Sequence, residues 1–162
     1  MVKSLFQKII VAVNGSEQSL SAAMYAIMMA KQYGCELKAV YVVDTATLKQ
    51  LELLRFLYSE ERNRYEEKLL SDGKRNLSLV SRLAAEKKVK VEEELCSGAV
   101  WSEIVRAADD FSADLILLGG KTANGSSRHD RVSSANSEII GSASKNVLVV
   151  KEIDIEKKFR IL

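Results

Sequence analysis

A chain of 162 residues, 47% of them hydrophobic, has enough apolar material for one sizeable core, so a single domain is expected. Its 24 basic and 22 acidic side chains leave a formal charge of +2, which gives no electrostatic case for a nucleic-acid partner. His129 is the only histidine, and Cys35 and Cys96 form neither a CxxC nor a cluster with ligand spacing; this gives no support to a metal site and predicts two unpaired, buried thiols.

The opening residues MVKSLFQKIIVAV read as a first strand rather than a leader, because Gln7 and Lys8 interrupt the apolar run and Asn14-Gly15-Ser16 follows it. The unbroken apolar runs fall far short of the ~20 residues that span a bilayer. No membrane span and a cytoplasmic location are therefore expected. Residues 9–13 (IIVAV) are continuously apolar and rich in β-branched side chains, as suits a central parallel strand buried on both faces. Ser16 is placed to cap the helix that follows. Leu20, Ala23, Met24, Ile27, Met28 and Ala30 give that helix an apolar face, and Gly34 ends it. Residues 37–43 (LKAVYVV) form a second strand closed by Asp44-Thr45, completing a βαβ unit.

From Thr47 to about Lys88 the pattern is helical and charged, with Leu48, Leu51, Leu54 and Leu57 first and Leu69, Leu77, Val80 and Leu83 later. Gly73 interrupts it and the protein contains no proline, so one irregular segment followed by one long helix is expected. The charges of SEERNRYEEK suit a solvated face, with a partner-binding surface as the alternative. Residues 89–95 form a weaker strand whose acidic positions suit a sheet edge. After Ser97-Gly98, residues 99–111 carry Val100, Ile104, Val105 and Ala108 on one stripe, with Trp101 expected to anchor the helix on the sheet. Then come an apolar run at 115–118, a loop rich in Gly, Ser, Asn and Thr, a helix at about 134–144 and a last strand at 147–150. This makes residues 1–151 the domain and 152–162 a C-terminal tail that either packs back or pairs with another subunit.

Five strands separated by helices predict an α/β fold: a single doubly wound five-stranded parallel sheet with helices on both faces. If the two most apolar strands, 9–13 and 115–118, are central neighbours, the winding reverses between them and opens a crevice. Asn14-Gly15-Ser16 and Gly119-Gly120 then face each other across it, beside a helix N-terminus whose free N–H groups and dipole favour an anion. Such a crevice suits a nucleotide or another phosphate-bearing ligand.

FQKIIVAVNGSEQSLSAAMYA, LSDGKRNLSLVSRLAAEKKVKVE, SGAVWSEIVRAADDFSADLILLGG and SSANSEIIGSASKNVLVVK resemble, in order and spacing, successive parts of the universal stress proteins. The resemblance runs from about Phe6 to Lys151. It implies strand order 3-2-1-4-5 and a homodimer joined through the last strand. The ATP-binding branch of that family carries a loop G-x2-G-x9-G-S/T and an Asp after the first strand. Here the second glycine position falls on Thr122 when the loop is anchored on Gly119, and on Ala123, with fitting spacing, when it is anchored on Gly120. The third is Ser133, followed by the hydroxyl of Ser134. Asn136 takes a later small polar position and the Asp becomes Asn14.

The resemblance thus implies a cofactor-binding set of Asn14, Gly15, Val42, Gly119, Gly120, Ser133, Ser134 and Asn136. It assigns no catalytic residue and no metal ligand. A side chain in place of glycine blocks positive φ and the close approach of N–H groups to phosphate, and Asn14 supplies hydrogen bonds without a carboxylate's charge. Ser126, Ser127, Lys121, Arg128 and Arg131 restore donors and positive charge. The leading reading is a stress-related regulatory or binding protein, acting as a dimer, whose adenine-nucleotide site, for ATP or AMP, is degenerate. An ATP-binding member with slow hydrolysis, using His129, Asp130 or Glu138, is the alternative. An interaction protein acting through the Arg55 to Lys68 surface or the tail is the third.

Overall fold

A computed structural model describes residues 3–120, 134–152 and 154–162. Its elements run β1 (Lys8–Val13), α1 (Glu17–Tyr33), β2 (Glu36–Asp44), α2 (Thr45–Leu53), α3 (Ser59–Glu86), β3 (Val91–Gly98), α4 (Val100–Phe111), β4 (Leu115–Gly119), α5 (Ser134–Ser142), β5 (Asn146–Val150) and α6 (Ile155–Ile161). Among the described residues the strands form one parallel sheet in the order β3-β2-β1-β4-β5. The expected topology is the one observed.

β1 occupies the centre, with Val11 opposite Ala39 on one side and Leu117 on the other. The pleat sends alternate residues to opposite faces. Ile9, Val11 and Val13 join a core under α1, α3 and α6, whereas Ile10 joins a second core under α4 and α5. The helices that carry the chain from β1 outward to β3 therefore lie on one face, and those that lead back to β4 and on to β5 lie on the other. α1 begins at Ser16, whose hydroxyl accepts the Ser19 N–H, and stops at Gly34, which adopts φ 67° and donates its N–H to the Ala30 carbonyl.

Four expectations need correction or completion. Gly73 does not interrupt the helix: α3 runs through it, and it is buried against Tyr41 and Leu95. Trp101 is not an anchor on the sheet: it lies in the first turn of α4 and is 38% exposed, while Ile104, Ala107 and Ala108 are buried. The thiols are free, but only Cys35 is buried and Cys96 is half-buried. The tail packs back: Ile155 and Phe159, one turn apart, enter the α1 and α3 core, and the Lys87 ammonium lies 4.8 Å from the centre of the Phe159 ring.

β3 lies at the edge, as its acids suggested, and those acids are partly spent on holding a buried lysine. Lys38 in β2 is 8% exposed and reaches Glu94 at 2.8 Å and Glu92 at 3.8 Å. Arg106 of α4 completes the network through Glu94 and Glu103, each at 2.7 Å, and Asp110 at 2.8 Å. Burial alone would raise the Glu94 carboxyl, but the hydrogen bonds and charges of Lys38 and Arg106 outweigh it and hold it below its ordinary 4.5. Asp114 accepts the backbone N–H groups of Lys8 at 2.9 Å and Gln7 at 2.7 Å, which keep it below 3.8 and clamp the start of β1 to β4.

A carboxyl whose pKa is depressed on folding contributes stability that is present above its unfolded pKa and is lost as pH falls through the folded one. The urea midpoint is therefore expected to drop as pH falls below about 4.5. Glu94→Gln and Asp114→Asn should each lower the midpoint at neutral pH and flatten that acid limb. Limbs parallel to that of the parent protein would count against these two carboxyls.

Candidate functional site

At the carboxyl ends of β1 and β4, where the winding reverses, the two turns named from the sequence meet. Asn14 leaves β1 with its side-chain oxygen accepting the Ser16 N–H at 3.0 Å, an Asx turn that shapes the start of α1. Its own N–H donates to the Ser19 hydroxyl at 3.2 Å, and that hydroxyl donates to the Ser16 carbonyl at 3.0 Å. Ser19 is 3% exposed, so this polar group is buried but fully partnered. Gly15 takes φ 84°, a conformation that favours glycine, and a Cβ there would lie 3.3 Å from the Asn76 side chain of α3.

Across the crevice, Gly119 ends β4 directly against the first turn of α1. Gly120 donates its N–H to the Val150 carbonyl at 2.9 Å, tying the turn to β5. Asn136, in the first turn of α5, donates to the Gly119 carbonyl at 2.9 Å, which brings the α5 N-terminus beside the end of β4. Ser134 is the first residue of that helix. Ser133 lies outside the described residues, as do Thr122, Ala123 and the hydroxyl, basic, His129 and Asp130 positions of the loop.

These elements enclose a cavity of about 330 Å³. Asn14, Val42, Gly119, Gly120 and Asn136 of the expected set line it; Gly15 shapes the turn without lining it. Sequence reasoning missed Gln18, Val100, Ile104 and Ile139. Gln18 follows the Asn14 turn closely enough to have been inferred, but the three aliphatic residues read as ordinary helix stripe. The floor is apolar and the rim is made of amides, hydroxyls and backbone. No charged side chain is among the described lining residues. Glu138 is exposed on α5 and takes no part in the lining.

The site can therefore stack and hydrogen-bond a flat heterocycle, and the positive dipole end of the adjoining helix start favours an anion. Its described residues supply no carboxylate for a cation. Among the described residues no group of His, Cys, Asp or Glu is placed to hold a metal ion, and no helix is long and apolar enough to cross a membrane.

A larger cavity, about 610 Å³, opens at the other end of the sheet beside Gly34, Lys88 and Phe111. There the carboxyl ends of α1, α3 and α4 converge with their negative dipole ends. Its lining is charged, with Lys31, Lys88 and Lys90 beside Glu36 and Glu92, and it lies away from the switch point. The thiols add nothing reactive. Burial first, then the charges of Glu94 and Glu103, push Cys96 up to about 11, and burial also raises Cys35.

Comparison with known proteins agrees with this fold. The sequence signature of the Universal stress protein family matches residues 5–151. A universal stress protein of Methanocaldococcus jannaschii is 34% identical over 156 residues, covering 93% of this chain and 85% of that protein. Universal stress protein UspA from Lactobacillus plantarum superposes with a TM-score of 0.73 at 22% identity, covering 93% of this chain and all of that one (100%). The universal stress protein from Archaeoglobus fulgidus in complex with dAMP superposes with a TM-score of 0.63 at 19% identity, covering 91% and 99%.

Proposed function

Because the chain belongs to the universal stress protein family, we propose that it is a stress-related regulatory protein of the cytoplasm, dimeric, whose adenine-nucleotide site is altered rather than standard. The observation that carries this reading is the cavity at the switch point, whose described lining is uncharged: an apolar floor, amide and backbone groups at the rim, and a helix start beside it. In this reading Val42 supports the base, and Asn14 and Gly15 shape the edge that meets base or ribose. Gly119, Gly120, Ser133, Ser134 and Asn136 form the phosphate side. A related fold holding dAMP supports an adenosine monophosphate as the ligand class.

With Asn14 in place of a carboxylate, a magnesium-bridged triphosphate gains no anchor that a monophosphate lacks. The dimer is proposed to form along β5. Its outer edge faces no other strand among the described residues, and its sequence NVLVV carries no charge.

Thermal shift with AMP, ADP and ATP, each with and without magnesium, tests the site. A ligand at ten times its Kd stabilises by about 1.4 kcal/mol, or about 3 to 5 °C for a domain of this size. AMP is expected to give that shift at millimolar concentration, with no further gain from ATP or magnesium. A larger, magnesium-dependent shift with ATP would instead support the hydrolytic alternative. No shift with any nucleotide would leave the dimer as the functional unit.

A further inference from the structure

The first third of α3 projects beyond the sheet. Although the helix starts at Ser59, its buried residues begin only at Gly73. α2 supports the projecting part through Glu52, which accepts from the Ser59 hydroxyl at 2.8 Å and pairs with Arg62 at 2.9 Å. The outcome is a helical arm held firm at its base and left uncovered along its outer side. Phe56 is 73% exposed, Tyr58 80% and Tyr65 51%. Aromatic side chains gathered on an otherwise charged surface mark an interaction face.

The outer stripe of this arm consists of Glu61, Arg64, Tyr65 and Lys68, which together line a shallow groove of about 350 Å³. Their spacing of three and four residues puts them on one side of the helix. No hydrogen bond or ion pair among the described residues engages Glu61, Arg64 or Lys68. The order of the four is self-complementary when the helix is laid against a reversed copy of itself. Glu61 then meets Lys68, and Arg64 meets the ring of Tyr65, at both ends of a two-fold axis. A parallel copy would set Glu61 against Glu61 and Lys68 against Lys68.

We propose that this arm docks antiparallel on the same arm of a second copy of the chain, about an axis passing between Arg64 and Tyr65. The interface is separate from the β5 edge and independent of whether a nucleotide binds. One helical face buries well under the roughly 800 Å² per partner of a standard interface, so the association is weak, reversible and sensitive to salt. If the β5 dimer forms, docking appears as association of dimers into larger assemblies; if it does not, as monomer to dimer.

Charge exchange tests the pairing. In sedimentation velocity at low salt, the parent protein is expected to show a rising weight-average coefficient over the range of about 10 to 500 μM. Glu61→Lys alone and Lys68→Glu alone each create like-charge contacts and should weaken that step at least about tenfold. The double exchange should restore it. So should an equimolar mixture of the two single variants, in which the two basic positions of one variant meet the two acidic positions of the other. No concentration dependence in the parent protein would overturn the proposal. Undiminished association of the single variants would do the same, as would failure of both the double exchange and the mixture to recover. Lys68 is exposed and Glu61 half-buried, and equal melting temperatures will verify that folding is intact.

Discussion

Gly119→Ala is expected to destabilise the protein by about 3 kcal/mol or more and to remove the nucleotide response from whatever fraction still folds. A Cβ at this position would stand 2.4 Å from the Gln18 carbonyl carbon, 2.5 Å from its oxygen and 2.7 Å from the Ser19 nitrogen. All three are backbone atoms, so no rotamer change relieves the contact. The turn they belong to is fixed by the Ser16 cap and the buried Ser19 hydroxyl, and the Gly119 carbonyl is held on its other side by Asn136. Either α1 or the end of β4 must move, and both line the cavity. Gly120→Ala is the milder comparison, since its closest contact, 2.7 Å, is with a Val149 methyl group that can shift. Urea midpoints of the two variants test this ranking; parity of Gly119→Ala with the parent would refute the close approach of β4 to α1.

Gly73→Ala sets two effects of opposite sign against each other. In an open helix interior alanine is worth about 1 kcal/mol more than glycine. Here the added Cβ would meet Leu95 at 2.7 Å and the ring of Tyr41 at 2.8 Å. Tyr41 is 5% exposed and packed within the core, so its ring cannot swing aside. Overpacking of this kind costs about 1 to 3 kcal/mol, which exceeds the helical gain. A net loss of up to about 2 kcal/mol is expected, equivalent to up to about 4 to 8 °C in melting temperature. Gly141, also helical, has nothing within 4 Å of the place an added methyl would take, and Gly141→Ala should stabilise by up to about 1 kcal/mol. If both alanines stabilise, the tight crossing of α3 over β2 and β3 is disproved.

The contrast between these glycines shows where sequence reading reaches and where it stops. Residues 9–13 and 115–118 announce central strands because continuous burial on two faces demands unbroken apolar runs. The acids of β3 announce an edge for the complementary reason. Gly73 looks like a break because a lone glycine in a helical pattern carries the same letter whether it ends a helix or lets one cross a sheet closely. Trp101 looks like an anchor because it falls three residues before Ile104 and seven before Ala108, yet in the first turn of α4 it stays 38% exposed, which spacing alone does not reveal. Asn14, Gly119 and Gly120 are legible from topology, since strand order alone brings their turns together. Ile104 and Ile139 are not, because a cavity floor and a core use the same aliphatic residues. Phe159 and Ile155 are hidden by the alternating charge of the tail.

The central position of β1 also bears on how the protein is made. Its clamp to the start of β4 joins Lys8 to Asp114, 106 residues further along. At a synthesis rate of about 5 to 20 residues per second, the apolar edge of β1 stays without its β4 neighbour for roughly 5 to 20 s after it leaves the ribosome. During that interval β1 and β2 can pair, but one flank of the most hydrophobic strand is open to other nascent chains. Any condition that slows elongation lengthens this exposure, and with it the time in which new copies can aggregate.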